Sequence, residues 1–278
     1  MTSQQTEMTS PESGNSKTLR TVLMTFGTLA LGTAVALSTV QVAFALNRVD
    51  TSGTYTVDDL FDEIEIDGTV SDINIEFGDV SQPKVRFESA SKNLSLKYQV
   101  VDRDLKITVA FQGFNWWLSF PTWDWSGPKL TVTLPESMRT RQVQLEISNS
   151  AGDISIDGDF GDTEVSSAAG EVDITGSVHD LSIETAAGNT TLSDLSVAGE
   201  LELDGSAGNV TGNLVSLPES IDLSTSAGNI ELTIPDGDYR IETRTSLGNI
   251  QNDVSSNATS SRLYKFETTF GNIRISKS

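Results

Sequence analysis

His179 is the only imidazole among 278 residues, and the chain has no cysteine, so base, nucleophile and metal-ligand chemistry falls mainly to its 39 carboxylates. Asp157, Asp159, Asp162 and Glu164 crowd one stretch, yet they alternate with apolar residues. They read as the solvated side of strands and turns, whereas a glycoside hydrolase needs two carboxyls converging on one bond. A lyase base is equally hard to place. No lysine lies between Lys129 and Lys265, and the neighbouring Arg240 and Arg244 carry guanidiniums that stay protonated. His179, in Gly176-Ser177-Val178-His179-Asp180, reads as an exposed turn histidine. The sequence therefore predicts no catalytic residue, no metal ligand and no cofactor. Without cysteine, disulfides, thiolate zinc sites and a lipid-modified N-terminal cysteine are excluded.

The residues best suited to recognition are aromatic. Phe111 to Trp125 holds seven aromatic side chains in fifteen positions, including all four tryptophans, between two expected strands. Phe114, Trp116, Trp117, Phe120, Trp123 and Trp125 are the candidates for contact with a ligand or membrane. Three readings stand: a loop folded over a flank that protects a sheet edge, a membrane-interface contact at headgroup level, or a platform for a glycan or partner protein.

The elements that must position these residues follow from a repeat. Short phrases centred on Gly152, Gly170, Gly188, Gly208, Gly228, Gly248 and Gly271 recur at spacings of 18, 18, 20, 20, 20 and 23 residues. Such periods mark solenoids or arrays. Each phrase is flanked by period-2 alternation, as in Leu201-Glu202-Leu203-Asp204 and Ile230-Glu231-Leu232-Thr233. Each repeat is thus expected to be two short strands meeting at a glycine corner, where a Cβ would be forbidden. The residue before glycine is alanine five times, then Leu247 and Phe270, which predicts a narrow interior closed by larger side chains, with the last coil as cap. The residue after it runs Asp153, Glu171, then asparagine five times, which predicts an amide ladder from coil to coil; a cation site at Asp153 and Glu171 is the competing reading. The expected fold is all-β, a right-handed parallel β-helix or solenoid, since crossovers between parallel strands are right-handed. An antiparallel β-sandwich is the alternative.

Residues 1–18 are polar and aperiodic, and read as a disordered cytoplasmic tail. Thr21 to Leu46 is uncharged for 26 residues, enough to span a bilayer as one helix, here placed over 19–46. Lys17 and Arg20 precede this span and acidic residues follow it, which orients the C-terminal part outward. Ala43-Phe44-Ala45 offers a cleavage alternative, with secretion after Ala45, but the apolar run is longer than a signal peptide's. Residues 47–58 are expected as a linker and 59–278 as the exported domain. Beyond residue 48 the chain carries 15 basic against 37 acidic side chains. That balance excludes nucleic acid, whose phosphates need Lys and Arg, and favours metal cations and basic surfaces.

The apolar anchor, Phe61-Asp62-Glu63-Ile64-Glu65-Ile66, the strand Leu130–Pro135 and the Ser-Ala-Gly-Asn/Asp corners together resemble the bacterial family labelled putative adhesin, a domain of unknown function. They also resemble LiaG-type proteins of the cell-envelope stress response. The resemblance implies a β-repeat domain on the outer face of a bacterial cytoplasmic membrane, and supplies no catalytic residues. The function expected is membrane-anchored binding or scaffolding, adhesin-like, without catalysis, its partners being the membrane and cell-wall glycan or envelope proteins. An accessory role in envelope stress is the alternative, and a polysaccharide-active enzyme a distant third.

Overall fold

The computed structural model describes residues 47–49, 52–91, 94–111 and 127–278. The tail expected over 1–18, the span over 19–46 and the aromatic segment from Phe114 to Trp125 lie outside these residues. Among the described residues, 22 strands form two sheets of eleven, here sheets A and B.

Most of the chain alternates between the sheets, one strand in A and the next in B. The opening strands are β1 (Asn47–Val49), β2 (Gly53–Thr56), β3 (Glu63–Gly68), β4 (Asp72–Gly78), β5 (Lys84–Glu88), β6 (Leu94–Val101), β7 (Asp104–Phe111) and β8 (Lys129–Pro135). A 3-10 turn, Glu136–Arg141, buries Met138 and leads into the repeats. These pair β9 (Gln144–Asn149) with β10 (Ile154–Asp159), β11 (Thr163–Ser167) with β12 (Val172–Val178), and β13 (Leu181–Ala187) with β14 (Thr190–Val197). They continue with β15 (Glu200–Ala207) and β16 (Val210–Leu214), β17 (Ser220–Ala227) and β18 (Ile230–Ile234), β19 (Arg240–Leu247) and β20 (Ile250–Asn252), and β21 (Leu263–Phe270) and β22 (Ile273–Lys277).

β5 and β6 pair antiparallel with β8 and β7, but from the coil of β3 and β4 along the stack through β9 to β22 neighbouring coils pair in parallel, so the repeats stack as a solenoid and not as an antiparallel sandwich. Parallel register carries every inward residue onto its counterpart. In sheet A, Ile66, Ile147, Val165, Ile183, Leu203, Leu223 and Phe266 form one buried column. In sheet B, Ile73, Ile154, Val172, Thr190, Val210, Ile230 and Ile273 form another. Each large apolar member contributes about 1.5–3 kcal/mol of burial. The rise in spacing from 18 to 20 residues has a local cause: a register shift inserts one residue at Asp194, whose φ is +46°, and the following turn holds one more.

Three expectations need correction. Residues 47–58 are not only a linker, because β1 pairs with β6 and β2 with β5, both antiparallel, which extends the two sheets. The alanines before the corner glycines do not line an interior: Ala187, Ala207 and Ala227 are exposed, as are Leu247 (68%) and Phe270 (58%). Nor does the last coil in sequence cap the stack. The strands β21 and β22 insert between the coil of β17 and β18 and that of β19 and β20, which becomes terminal. Composition explains the swap. The inserted coil turns Tyr264, Phe266, Ile273 and Ile275 inward, all buried, whereas the terminal coil offers the smaller Ile241 and Thr243 opposite the two rings, and Ile250 and Asn252, both exposed, opposite the two isoleucines.

The corners are as tight as the repeat predicts. At Gly188 and Gly208 φ is +142° and +147°, and a Cβ on Gly208 would overlap the carbonyl oxygen of Gly188. Gly208 N–H donates to Ala227 O (3.0 Å) and Val210 N–H to Asn229 O (2.9 Å), so the chain cannot retreat without losing pairing. Gly208→Ala is expected to cost at least about 2 kcal/mol in chemical denaturation, from left-handed strain and overpacking together. Thr211→Ala, on an exposed strand position, should stay within about 0.5 kcal/mol.

Candidate functional site

Alternation along each sheet A strand sends one set of side chains outward, and parallel register aligns them. Glu65 on β3 stands opposite Glu146 on β9, which stands opposite Glu164 on β11. Ser182 interrupts the column, and Glu202 and Asp222 resume it. Directly opposed like charges are destabilising, by roughly 0.2–1 kcal/mol per pair. Lysine follows the acidic run at both ends: Lys106 pairs with Glu65 and Lys265 with Asp222, the latter at 2.8 Å, and Glu242 of β19 stands beyond Lys265.

A groove of about 280 Å³ opens on the central part of this face. Glu63 and Glu146, Asp162 and Glu164, Asp180, and Glu200 and Glu202 line it, from five consecutive coils. Among the described residues no lysine or arginine lines it. The electrostatics follow from that crowding. Partial burial pushes the Glu146 carboxyl up, and the charges of Glu65, Glu164, Glu63 and Asp67 push it further. Glu184 is raised by burial and then by Asp204, Glu164 and Glu202. Glu63 and Asp67 move up for the same reasons. Asp62 behaves oppositely, because its hydrogen bond from Arg103 holds it below the usual carboxylate range.

The carboxylate-rich stretch is divided by the fold. Asp157 lies on sheet B, Asp159 pairs with Arg139 (3.0 Å), Glu164 faces out from sheet A, and Asp162 occupies the turn between them. In that turn Asp162 meets His179 of the next coil: His179 Nδ1 is 3.2 Å from Asp162 Oδ1 and 3.3 Å from Asp180 Oδ2. Arg240 and Arg244 pair with Glu242 (3.4 Å) and Glu267 (3.6 Å) as surface ion pairs. Sequence reasoning missed the acidic column as a unit, although Glu146 and Glu164, like Asp162 and Asp180, stand 18 residues apart, one coil period.

The asparagine ladder is present and longer than expected. Asn209 donates from its backbone N–H (3.0 Å) and side chain (3.3 Å) to Asn189 Oδ1, and Asn229 repeats this on Asn209. Asn272 bonds Asn229, and Asn249 bonds Asn272, following the stacking order and not the sequence order. Asp153 and Glu171 belong to the same ladder, Asp153 Oδ1 accepting from Glu171 N–H at 2.8 Å, and Asp72 starts it. Seven carboxylate or amide side chains thereby accept from the next coil, which accounts for Asp153 and Glu171 without a cation. Phe114, Trp116, Trp117, Phe120, Trp123 and Trp125 lie outside the described residues. Their segment leaves sheet A at Phe111 and enters sheet B at Lys129, the place in the coil that the Gly152 corner takes between β9 and β10.

Because Glu146 and Glu184 bind their protons more tightly folded than unfolded, stability should rise as pH falls from 7, and the gain should be complete near the ordinary value of 4.5. Asp62 contributes the opposite trend at lower pH. We expect Tm to increase between pH 7 and about pH 5, and 0.5 M salt to raise Tm at pH 7 by screening, on the order of a 3 Å Debye length near 1 M. Glu146→Gln should raise Tm at pH 7 and shrink the pH effect. A Tm that falls steadily from pH 7 to 5 would remove the argument.

None of the curated proteins matches this sequence. Solved structures do. A putative adhesin from Bacteroides fragilis is 15% identical, with 82% of this chain covering 97% of that one at a TM-score of 0.50. A putative cell adhesion protein from Clostridium sporogenes is 13% identical, covering 82% and 99% of the two chains at a TM-score of 0.35. At such identity the Bacteroides likeness shows a shared fold. The family model described as Toastrack DUF4097 matches residues 61–276, which bears out the resemblance carried by Phe61 to Ile66 and the glycine corners, and the chain belongs to that family.

Proposed function

We propose that this chain is a binding or scaffolding protein of adhesin type. It is held by an uncleaved span over residues 19–46 on the outer face of a bacterial cytoplasmic membrane, and works through its acidic sheet A face without catalysis. The observation that carries the reading is the in-register column Glu65, Glu146 and Glu164 beside a groove without lysine or arginine. Folding alone gains nothing from aligning like charges, so the column is best explained by what it meets: a basic surface on an envelope protein, or cations that bridge to an acidic one. The 26 uncharged residues before the domain support anchoring, and their basic flank supports the outward orientation. The aromatic residues that the sequence carries between Phe111 and Lys129 have the chemistry for glycan or envelope-protein contact.

Two measurements test this. The chain has no cysteine, so Thr211→Cys creates a single thiol on an exposed strand. In intact spheroplasts a membrane-impermeant maleimide should label it, with the protein remaining in the membrane fraction. Labelling that requires permeabilisation would defeat the topology. Retention of the full-length chain on washed envelope fragments should be strong at low salt and fall several-fold in the Glu146→Gln, Glu164→Gln double variant. Undiminished retention by that variant would show that the acidic face is not the working surface.

A further inference from the structure

We propose that Asp162, His179 and Asp180 form a binding site for one divalent transition-series cation of the zinc class. The inference needs neither the anchor nor the adhesive role, since its first support is how adjacent turns of the solenoid stack.

The three side chains are separated in sequence and joined by the coil. Asp162 occupies the turn from β10 to β11, and His179 with Asp180 forms the two-residue turn from β12 to β13. Backbone bonds hold the turns together: His179 N–H donates to Gly161 O at 3.2 Å, and Thr163 N–H to Asp180 O at 2.9 Å. One nitrogen and two carboxylate oxygens can thereby converge, with all three ligand atoms within 4.8 Å of one another.

The geometry suits a small cation better than it suits a proton. Zinc bonds imidazole nitrogen at roughly 2.0–2.1 Å and carboxylate oxygen at roughly 2.0–2.2 Å, and a tetrahedron of such bonds has edges of about 3.3 Å. The two Nδ1–oxygen separations, 3.2 and 3.3 Å, match those edges. A single Nδ1–H points at one acceptor and leaves the other carboxylate against the ring, whereas a cation on the Nδ1 lone pair satisfies both. A donor set of one imidazole and two carboxylates fits zinc and its neighbours, while magnesium and calcium prefer oxygen alone.

Two further features support the site. Asp180 is held in place from behind: its Oδ1 accepts the Glu200 N–H at 2.7 Å, which leaves Oδ2 toward His179, an outer bond of the kind that orients metal ligands. Gly199 of the next coil makes this possible, because a Cβ there would overlap Asp180 Oδ1 and come within 3.4 Å of the His179 ring. Asp162 and Asp180 also line the acidic groove, whose further carboxylates raise the local concentration of cations at the site. With three protein ligands, a fourth position stays open to water or to a donor on a partner.

The test uses the full-length chain with zinc chloride as the probe. Because the chain has one histidine, imidazole resonances of selectively labelled protein report this site alone. We expect saturable uptake of one zinc per chain, a shift of the His179 ring signals that saturates with it, and reversal by EDTA. His179→Gln and Asp162→Asn should each weaken zinc affinity at least tenfold while their melting in EDTA stays that of the unaltered chain. Glu171→Gln, on the corner ladder, should bind zinc normally, and magnesium at equal concentration should not move the imidazole signals. Zinc uptake that leaves the ring signals unmoved, His179→Gln binding as tightly as the unaltered chain, or no uptake at all would each overturn the assignment.

Discussion

The approach of one glycine corner to the next, a carbonyl oxygen lodged where a side chain would begin, sets the spacing of the whole solenoid. At Gly188, Gly208 and Gly228 the carbonyl oxygen of the preceding coil's glycine leaves no room for a Cβ. Once the corners nest, strand register on both sides is fixed, because a slip of one residue would turn every inward side chain to solvent. The buried columns ending at Phe266 and Ile273 and the amide ladder from Asn189 to Asn249 are consequences of that register. The ladder adds directionality. The oxygens of Asn189, Asn209, Asn229 and Asn272 each take two donors from the coil beyond, so a coil out of register would leave the next backbone amide without its acceptor.

Register also turns sequence composition into surface chemistry. A glutamate every 18 residues is an unremarkable density of charge, yet stacking places Glu146 and Glu164 side by side and raises the proton affinity of the first. The opposite edge of the coil has different chemistry. Its corners expose Ala187, Ala207 and Ala227, then Phe270 and Leu247, beside neutral amides. One solenoid thereby displays a charged sheet face and a weakly polar edge along the same axis, an arrangement suited to holding two kinds of surface at once.

Much of this was legible in the sequence, and the part that was not shares one cause. Glycine spacing and period-2 alternation showed two strands per repeat, the corner and the ladder, because each depends on residues within one coil or at a fixed offset. Burial direction at the corner was misread: alternation through Leu201, Leu203 and Gly205 would carry Ala207 inward, yet the alternation ends at the corner and Ala207 is exposed. The strands in 47–58 escaped notice because three- and four-residue pieces carry no periodicity of their own. The meeting of Asp162 with His179 needed coil-to-coil alignment at the turns, where no repeated motif marks the register. The swap of the last two coils needed more still, since nothing local in Leu263 to Phe270 says which coil it will join.

That swap can nonetheless be argued from the problem it solves. An open solenoid end presents a row of unpaired backbone groups and invites pairing with another chain. A terminal coil filled with Tyr264, Phe266 and Ile275 would expose those side chains as well. Placing β19 and β20 outermost puts one half-buried isoleucine, Ile241, with Thr243 and Thr245 over the core instead, and Arg240 and Arg244 on the strand that faces the end. The connection running through residues 253–262 then folds back on it: Ser256 Oγ accepts the Ile241 N–H at 2.9 Å, and Asn257 N–H donates to Tyr239 O at 2.8 Å. The coil poorest in apolar residues and its own connecting loop together close the stack. The strands that carry Tyr264, Phe266, Ile273 and Ile275 reach the interior only by arriving late in the chain and filling the gap left between β17 and β19.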